Sequence, residues 1–401
     1  MSHLVRPAST AKPWALSLPS ALLLMAPFDL LASLAMDIYL PVVPLMPGAL
    51  DASPALVQLT LSLYMAALGL GQVLFGPLSD RIGRRPALIG GALLFAAAAF
   101  ALAATGSGPV FVALRTVQGL AASAVLVATF ATVRDVYADR PEGTIIYGLF
   151  SAMLAFVPAL GPILGALIAR QGGWRAIFVT LGLLALAAGL QALARWPETR
   201  PAPTRVQART SRAILRSGAF WTYTLGFAAA MGTFFVFFSI APRILMERLG
   251  LSELAFSIAF ASVALVMIAA ARLARGLPAR WGIDGMLARG LGVMLAGAGL
   301  LAALSGNGAQ SLPAILGPMW VMAAGMVLVV SVTANGALAG FDDRAGAAVA
   351  LYYAVQSVIV GAAGTLAVIA LPGDTAWPLV AYCAAMGMAA LAALGLLRWR
   401  G

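Results

Sequence analysis

The stretch LLLMAPFDLLASLAMDIYLPVVP, residues 22–44, is an apolar run that carries two carboxylates, Asp29 and Asp37. About 20 mostly apolar residues suffice to cross a bilayer as a helix. A charge near the centre of such a helix costs about 3 kcal/mol or more. Two carboxylates therefore predict a helix with one flank turned to something other than lipid. Eight residues of helix rotate about 80° and rise about 12 Å, so one flank can present both groups to a central cavity. Asp29 falls near the middle of the span and Asp37 toward its outer end. A carboxylate in such a cavity can exchange a proton as its surroundings change. The plainer alternative is a pair of structural carboxylates hydrogen-bonded to neighbouring helices.

The rest of the chain has the same character. Of 401 residues, 62% are hydrophobic and 10% charged, where a soluble domain averages roughly a quarter charged. Apolar segments fall at 16–43, 56–78, 86–105, 109–133, 144–169 and 174–196, then at 219–241, 253–274, 285–304, 312–336, 345–371 and 376–397. The expected fold is thus all-α and integral to the membrane: twelve spans in two sets of six. Residues 1–196 and 219–401 form the two bundles, and 197–218 is a Pro-rich basic linker between them. The first span is too long for a cleaved signal peptide and is followed by eleven more.

Arginine and lysine set the orientation. With a cytoplasmic N-terminus, 20 basic residues lie inside: Lys12 and the arginines at 6, 81, 84, 85, 134, 140, 195, 200, 205, 209, 212, 216, 272, 275, 280, 289, 344, 398 and 400. Only Arg170, Arg175, Arg243 and Arg248 lie outside, and Arg115 sits within a span. Both termini are therefore expected in the cytoplasm. The formal charge of +11 follows from topology and calls for no nucleic acid. The single cysteine, Cys383, and single histidine, His3, leave neither an intrachain disulfide nor a Cys/His metal cluster. No metal or other cofactor is expected.

An internal repeat joins the sets. Aligning Arg81-Ile82-Gly83 on Arg280-Trp281-Gly282 gives an offset of 199 and brings Gly91 onto Gly290. Bundles related in this way bind cargo at mid-membrane between them.

The loop after the second span, GPLSDRIGRR, resembles the Gly-x-x-x-Asp-Arg-x-Gly-Arg-Arg motif of the major facilitator superfamily through Gly76, Asp80, Arg81, Gly83, Arg84 and Arg85. In the second copy the aspartate position is Ala279. The resemblance implies that Asp80 docks on a helix N-terminus of the other half as a gate, a carboxylate meeting a positive dipole end. Asp135 would join through Arg84. The simpler reading of these arginines is anchoring, and for Arg85 that reading is preferred. Arg115, Gln118 and Gly119 resemble the superfamily's Arg-x-x-Gln-Gly motif, whose arginine is linked to proton transfer in proton-coupled members. Snorkelling toward the span end is the alternative for Arg115. Gly161, Pro162 and Gly165 resemble the Gly-Pro-x-x-Gly motif of antiporters, with Val157 at a position where that family often has glycine. An ordinary transmembrane kink would use the same residues.

MDIYLPVVP resembles the first-span signature of Bcr/CflA-type drug exporters. LVATFATVRDVYADRPEG, MGTFFVFFSIAPR, SVTANGALAGFDD and GDTAWP are similar to the chloramphenicol/florfenicol exporters over nearly the whole chain. The resemblance implies an inner-membrane, proton-coupled antiporter of phenicol antibiotics that works by alternating access. A broader multidrug antiporter and a proton-coupled nutrient importer are the alternatives. The expected partners are a small drug, protons and the lipid bilayer, with a monomer as the unit. Proton coupling would rest on Asp29, Arg115 and Asp37, through an Asp–Arg contact that cargo disturbs. Phenicols are neutral, aromatic and amphipathic, so a suitable cavity is mostly apolar. Candidate lining residues are Asp29, Tyr39, Tyr64, Gln118, Asn335, Tyr352, Tyr353 and Gln356. Of Phe234, Phe235, Phe237 and Phe238, about half should face the cavity. Asn335 is expected to be buried. No nucleotide-binding loop and no catalytic constellation appears, so no enzyme is expected.

Overall fold

The computed structural model describes residues 14, 16–137, 140–200, 210–306, 311–341 and 345–400. His3, Arg6, Lys12, Arg205, Arg209 and Arg344, used above, lie outside them. Helix α1 (Leu18–Asp37) tightens into a 3-10 segment, Leu40–Leu45, and a short helix, Met46–Ala49. Pro41, Pro44 and Pro47 lack the amide an α-helix needs here. Helix α2 (Pro54–Ile82) opens with proline at its first position, and the Ser53 side chain accepts from the Leu56 amide at 3.2 Å, the two usual start signals. It stops at Gly83, whose φ of 109° suits glycine alone. Helices α3 (Arg84–Ala104) and α4 (Gly108–Tyr137) follow.

The next helix, Pro141–Arg195, runs 55 residues, about 82 Å and more than twice the hydrocarbon thickness of a bilayer. Gly173, with φ 72° and ψ 178°, divides it into α5 (141–172) and α6 (174–195). The second set is α7 (Gly218–Pro242), α8 (Glu253–Leu273), α9 (Leu277–Gly306), α10 (Leu312–Leu338), α11 (Ala345–Ala370) and α12 (Trp377–Arg400). Helix α7 continues as a π-helix over Arg243–Arg248, and a short helix, Thr210–Leu215, lies in the linker. The chain thus forms a multi-pass membrane protein, with twelve long helices among the described residues. The eleven continuous apolar helices become twelve spans because α5 and α6 share one run. The repeat is visible in the backbone: Gly282, aligned with Gly83, also takes positive φ, 67°, and breaks α9 near its start.

Most arginines gather at one end of the bundle, here termed the basic end. The two sets meet through α2 with α11 and α5 with α8, and through Leu40–Leu45 with α7 and α8. The α2–α11 seam is made of small residues. Thr365 Oγ1 donates to Ser62 Oγ at 2.5 Å, Ala66 faces Gly361, and Gly69 faces Ser357. On α5–α8, Ser257 Oγ donates to the Pro162 carbonyl at 3.0 Å, and Ala159 packs with Ala261 and Ala264. All these contacts lie toward the arginine-poor end. One turn beyond Gly69, Val73 is 44% exposed, and Tyr353, one turn before Ser357, is 43% exposed. The halves are joined at the arginine-poor end and part toward the basic end.

Candidate functional site

Arg115 is fully buried on α4. Its Nη1 donates to the Ala35 carbonyl at 3.1 Å and to Gln118 Oε1 at 2.7 Å. The guanidinium carbon lies 4.4 Å from the Tyr64 ring centroid and 5.2 Å from that of Tyr39, a cation held between two aromatic rings. Tyr64 is fixed in turn by its hydroxyl, which donates to the Ala32 carbonyl at 2.6 Å. A side chain at Gly119 would sit 2.6 Å from the Tyr64 carbonyl. The glycine therefore lets α4 approach α2 closely enough to bring ring and guanidinium together. Nε and Nη2 of Arg115 and Nε2 of Gln118 are buried donors without an acceptor among the described residues.

Asp37 ends α1 and Asp29 lies two turns before it, each 6% exposed. Among the described residues, no ion pair includes Asp29, Asp37 or Arg115. The expected Asp–Arg contact is therefore not made. Arg115 Nη1 is turned to the Ala35 carbonyl and Gln118 and the guanidinium faces the Tyr39 and Tyr64 rings, so its remaining donors reach neither carboxylate. What does meet Asp37 is the antiporter-type motif. A Cβ on Gly161 would lie 2.7 Å from that of Asp37, and one on Gly165 would overlap the Ile38 carbonyl oxygen. Gly161 and Gly165 thus press α5 onto α1 where the carboxylate sits. Pro162 between them accepts the bond from Ser257 of the other half. One motif touches both the acidic end of α1 and the seam, a link invisible in spacing alone.

The remaining candidates scatter. Tyr39 packs in a cluster with Phe111 and Phe178, ring centroids 6.0 and 5.6 Å away. Tyr352 is buried, donates its hydroxyl to Thr333 Oγ1 at 3.2 Å and packs on Phe227. Gln356 is buried, and its Oε1 has no partner among the described residues. Phe234, Phe237 and Phe238 all pack on Phe260 of α8, and Phe235 packs against Gly364 of α11. All four are at most 9% exposed. The expectation that half would face a cavity is corrected, because α7 packs on α10, α11 and α12 and its rings meet Phe260 of α8. Asn335 also departs from expectation. It is exposed, three residues from the basic end of α10 and one turn from exposed Ser331.

At the basic end, Arg84 is 2% exposed. Its Nη2 pairs with Asp80 at 2.5 Å, its Nε with Asp135 at 2.9 Å, and its Nη1 donates to Ser79 Oγ at 2.6 Å. Asp80 does not reach the other half among the described residues. It is 53% exposed and paired within its own turn, because the halves part at this end. Gly76 has open space where a Cβ would stand. The Arg81 carbonyl accepts from Arg200 Nη1 at 2.5 Å, and Arg85 Nη2 donates to the Leu193 carbonyl at 2.7 Å. The residue that sequence reasoning missed is Glu198. Its carboxylate accepts the amides of Arg84 and Arg85 at 2.8 and 3.2 Å, capping α3, and also those of Thr199 and Arg200. A side chain at Gly83 would collide with it. The available signal was its isolation, since Glu198 is the single acid in the basic stretch 195–218.

Residues 28–365 match the family model described as Major Facilitator Superfamily. The chain belongs to the major facilitator superfamily. Its fold therefore serves transport, not enzymatic catalysis. Within that superfamily it is 50% identical over 373 residues, 92% of this chain and 88% of the other, to the "Chloramphenicol resistance protein" of Pseudomonas aeruginosa. It is 27% identical over 79% of this chain and 80% of the other to "Multidrug resistance protein MdtL" of Shewanella oneidensis. Among solved structures it resembles a peptide transporter in complex with sulfate (TM-score 0.74, 14% identity, 94% and 93% coverage). A D-xylose–proton symporter gives TM-score 0.72 at 18% identity, with 94% and 97% coverage. A bacterial homologue of the human lysosomal transporter Spinster, inward-facing and unoccupied, gives 0.70 at 14%, covering 95% of each chain. At these identities the structures speak for the fold alone.

Proposed function

We propose that the protein exports phenicol antibiotics, chloramphenicol and florfenicol, from the bacterial cytoplasm in exchange for protons. The observation that carries this reading is the 50% identity, across 92% of the chain, to a chloramphenicol resistance protein. The weaker likeness to multidrug resistance proteins favours, as a second reading, the same mechanism with broader cargo. The basic end is cytoplasmic, with both termini there, in the inner membrane. The arrangement described above is then the inward-facing one. Residues 1–196 and 219–401 rock as two bundles about the linker 197–218 of a single monomer, closing at one end as they open at the other.

Asp29 and Asp37 carry the exchanged proton. Both are buried without an ion pair, so either can hold a proton at no cost of a broken salt bridge. Arg115 works beside them by holding Ala35, two residues before Asp37 on α1, and by packing on Tyr64. Cargo displaces the proton by rearranging α1 against α4 and α5. Inward movement of one proton per neutral drug gains about 2.3 kcal/mol per 100 mV of membrane potential, which suffices for export without nucleotide hydrolysis. Gly161, Pro162 and Gly165 carry motion at Asp37 to the seam, and Asp80, Arg84 and Asp135 act as the gate at the basic end. Tyr64, Gln118, Tyr352 and Gln356 are the polar groups nearest the cargo path, with Asn335 at its mouth. Phe234, Phe235 and Phe238 shape its wall from behind.

Inhibitory concentrations in a drug-sensitive bacterium test the reading. Resistance to chloramphenicol and florfenicol but not to cationic dyes is expected. Resistance extending to dyes moves the conclusion to the broader exporter, and no resistance overturns both.

A further inference from the structure

Gly83 and Gly282 break their helices at the basic end of each half with positive φ, 109° and 67°. After Gly83 the chain is basic, and the amides of Arg84 and Arg85 are held by an acid, Glu198, just past α6. After Gly282 the polarity is reversed. Asp284 follows, and Arg398 at the end of α12 pairs with it, Nε to Oδ2 3.2 Å. Glu198 displaced by the repeat offset of 199 lands on residue 397, one position from Arg398. The second half thus has an acid, Asp284, where the first has Arg85, and a base one position from where the first has Glu198. Tyr223 of α7, 4% exposed, donates its hydroxyl to Asp284 Oδ1. The Tyr223 ring lies on Gly336 of α10, where a Cβ would be 2.5 Å from it. Four helices, α7, α9, α10 and α12, are therefore tied to one carboxylate, and the residue beside Gly336 is exposed Asn335.

We propose that Asp284, Arg398 and Tyr223 form a positioning cluster at the place that Arg85 and Glu198 hold in the first half, with acid and base exchanged. The cluster holds the basic ends of α7, α9, α10 and α12 as one body while the seam opens and closes. The pair itself is half exposed, 41% at Asp284 and 51% at Arg398, and exposed pairs add little to stability. Its effect lies in geometry. The carboxylate fixes the Tyr223 hydroxyl, Tyr223 seats Gly336, and Gly336 sets where the Asn335 wall stands. None of the three touches cargo.

The test uses the full-length protein with spin labels on cysteines replacing exposed Leu78 and Arg280, which lie in opposite halves at the basic end; the native Cys383 is buried. Asp284→Asn is expected to broaden the Leu78–Arg280 distance distribution. It should also lower the maximal chloramphenicol transport rate per molecule about fivefold or more, as for a typical coupling between sites, while KM stays put. Tyr223→Phe, which removes one hydroxyl, gives the same signature where Asp284→Asn folds poorly. Asp284→Glu, which keeps a carboxylate for both the Tyr223 hydroxyl and Arg398, should keep both readouts near wild type. Unchanged distances and turnover in Asp284→Asn and Tyr223→Phe, or losses in Asp284→Glu as large as in Asp284→Asn, would overturn the proposal. The transport readout rests on the phenicol reading and the distance readout does not. A wild-type chain that moves no phenicol would defeat the former while leaving the cluster decided by distances.

Discussion

Replacing Gly165 by alanine adds one methyl group where α5 meets α1. That carbon would overlap the Ile38 carbonyl oxygen and stand 2.9 Å from the carbonyl carbon and 3.3 Å from Cα. All three are backbone atoms, so no side-chain rotation relieves the clash. The helices must separate by roughly 1 Å, since interiors packed at crystal density have no slack. Overpacking of this kind costs about 1–3 kcal/mol, equivalent to roughly 5–150-fold when it falls on the working arrangement. Ile38 adjoins Asp37, so the displacement falls on the carboxylate. The assay is chloramphenicol uptake into everted vesicles, normalised to protein in the membrane. Gly90→Ala serves as control, because its added Cβ meets nothing within 4 Å. Loss of at least fivefold in Gly165→Ala, with Gly90→Ala at the wild-type rate, is expected. Equal rates in the two variants would refute the idea that close approach of α5 to Asp37 matters.

Arg115→Lys keeps the charge but loses the planar guanidinium that lies against the Tyr39 and Tyr64 rings, so export should fall about tenfold or more in the same vesicles. Gly69→Leu drives a side chain into Ser357 across the α2–α11 seam. It should hold the arginine-poor end open, read as faster labelling of a cysteine at Thr365 by a membrane-impermeant maleimide. Glu198→Gln leaves the α3 amides with a neutral acceptor and should destabilise the solubilised protein by about 1–3 kcal/mol, seen as a lower midpoint of thermal unfolding.

The spans, their two sets of six and the repeat were legible because membrane helices write themselves in long apolar runs, and because glycine at 83 and 282 recurs where the chain must break. Arg115, Gln118 and Gly119 stood out because a cation within an apolar run needs a reason. Partners were harder to see. Nothing local joins Gly165 to Ile38 or Glu198 to the Arg84 amide, since those contacts depend on which helices become neighbours. The Asp–Arg contact could not be read for the same reason: the packing turns Arg115 toward Ala35, Gln118, Tyr39 and Tyr64 and away from the carboxylates. Asn335 and the four phenylalanines were misjudged because apolar composition does not say which face of a helix meets lipid, protein or a water-filled mouth. Asp284 was passed over because the aligned motif put its acid at Ala279, and its partner Arg398 lies at the far end of the half.

The most direct measurement is proton release from purified protein in weakly buffered detergent solution on addition of chloramphenicol, followed with a pH indicator. Wild-type protein should release protons in a saturable way. Asp29→Asn, present in the membrane at normal abundance, should release fewer and export nothing. Equal release from the two proteins, or none from a wild-type protein that binds the drug, would contradict coupling through the acidic flank of α1.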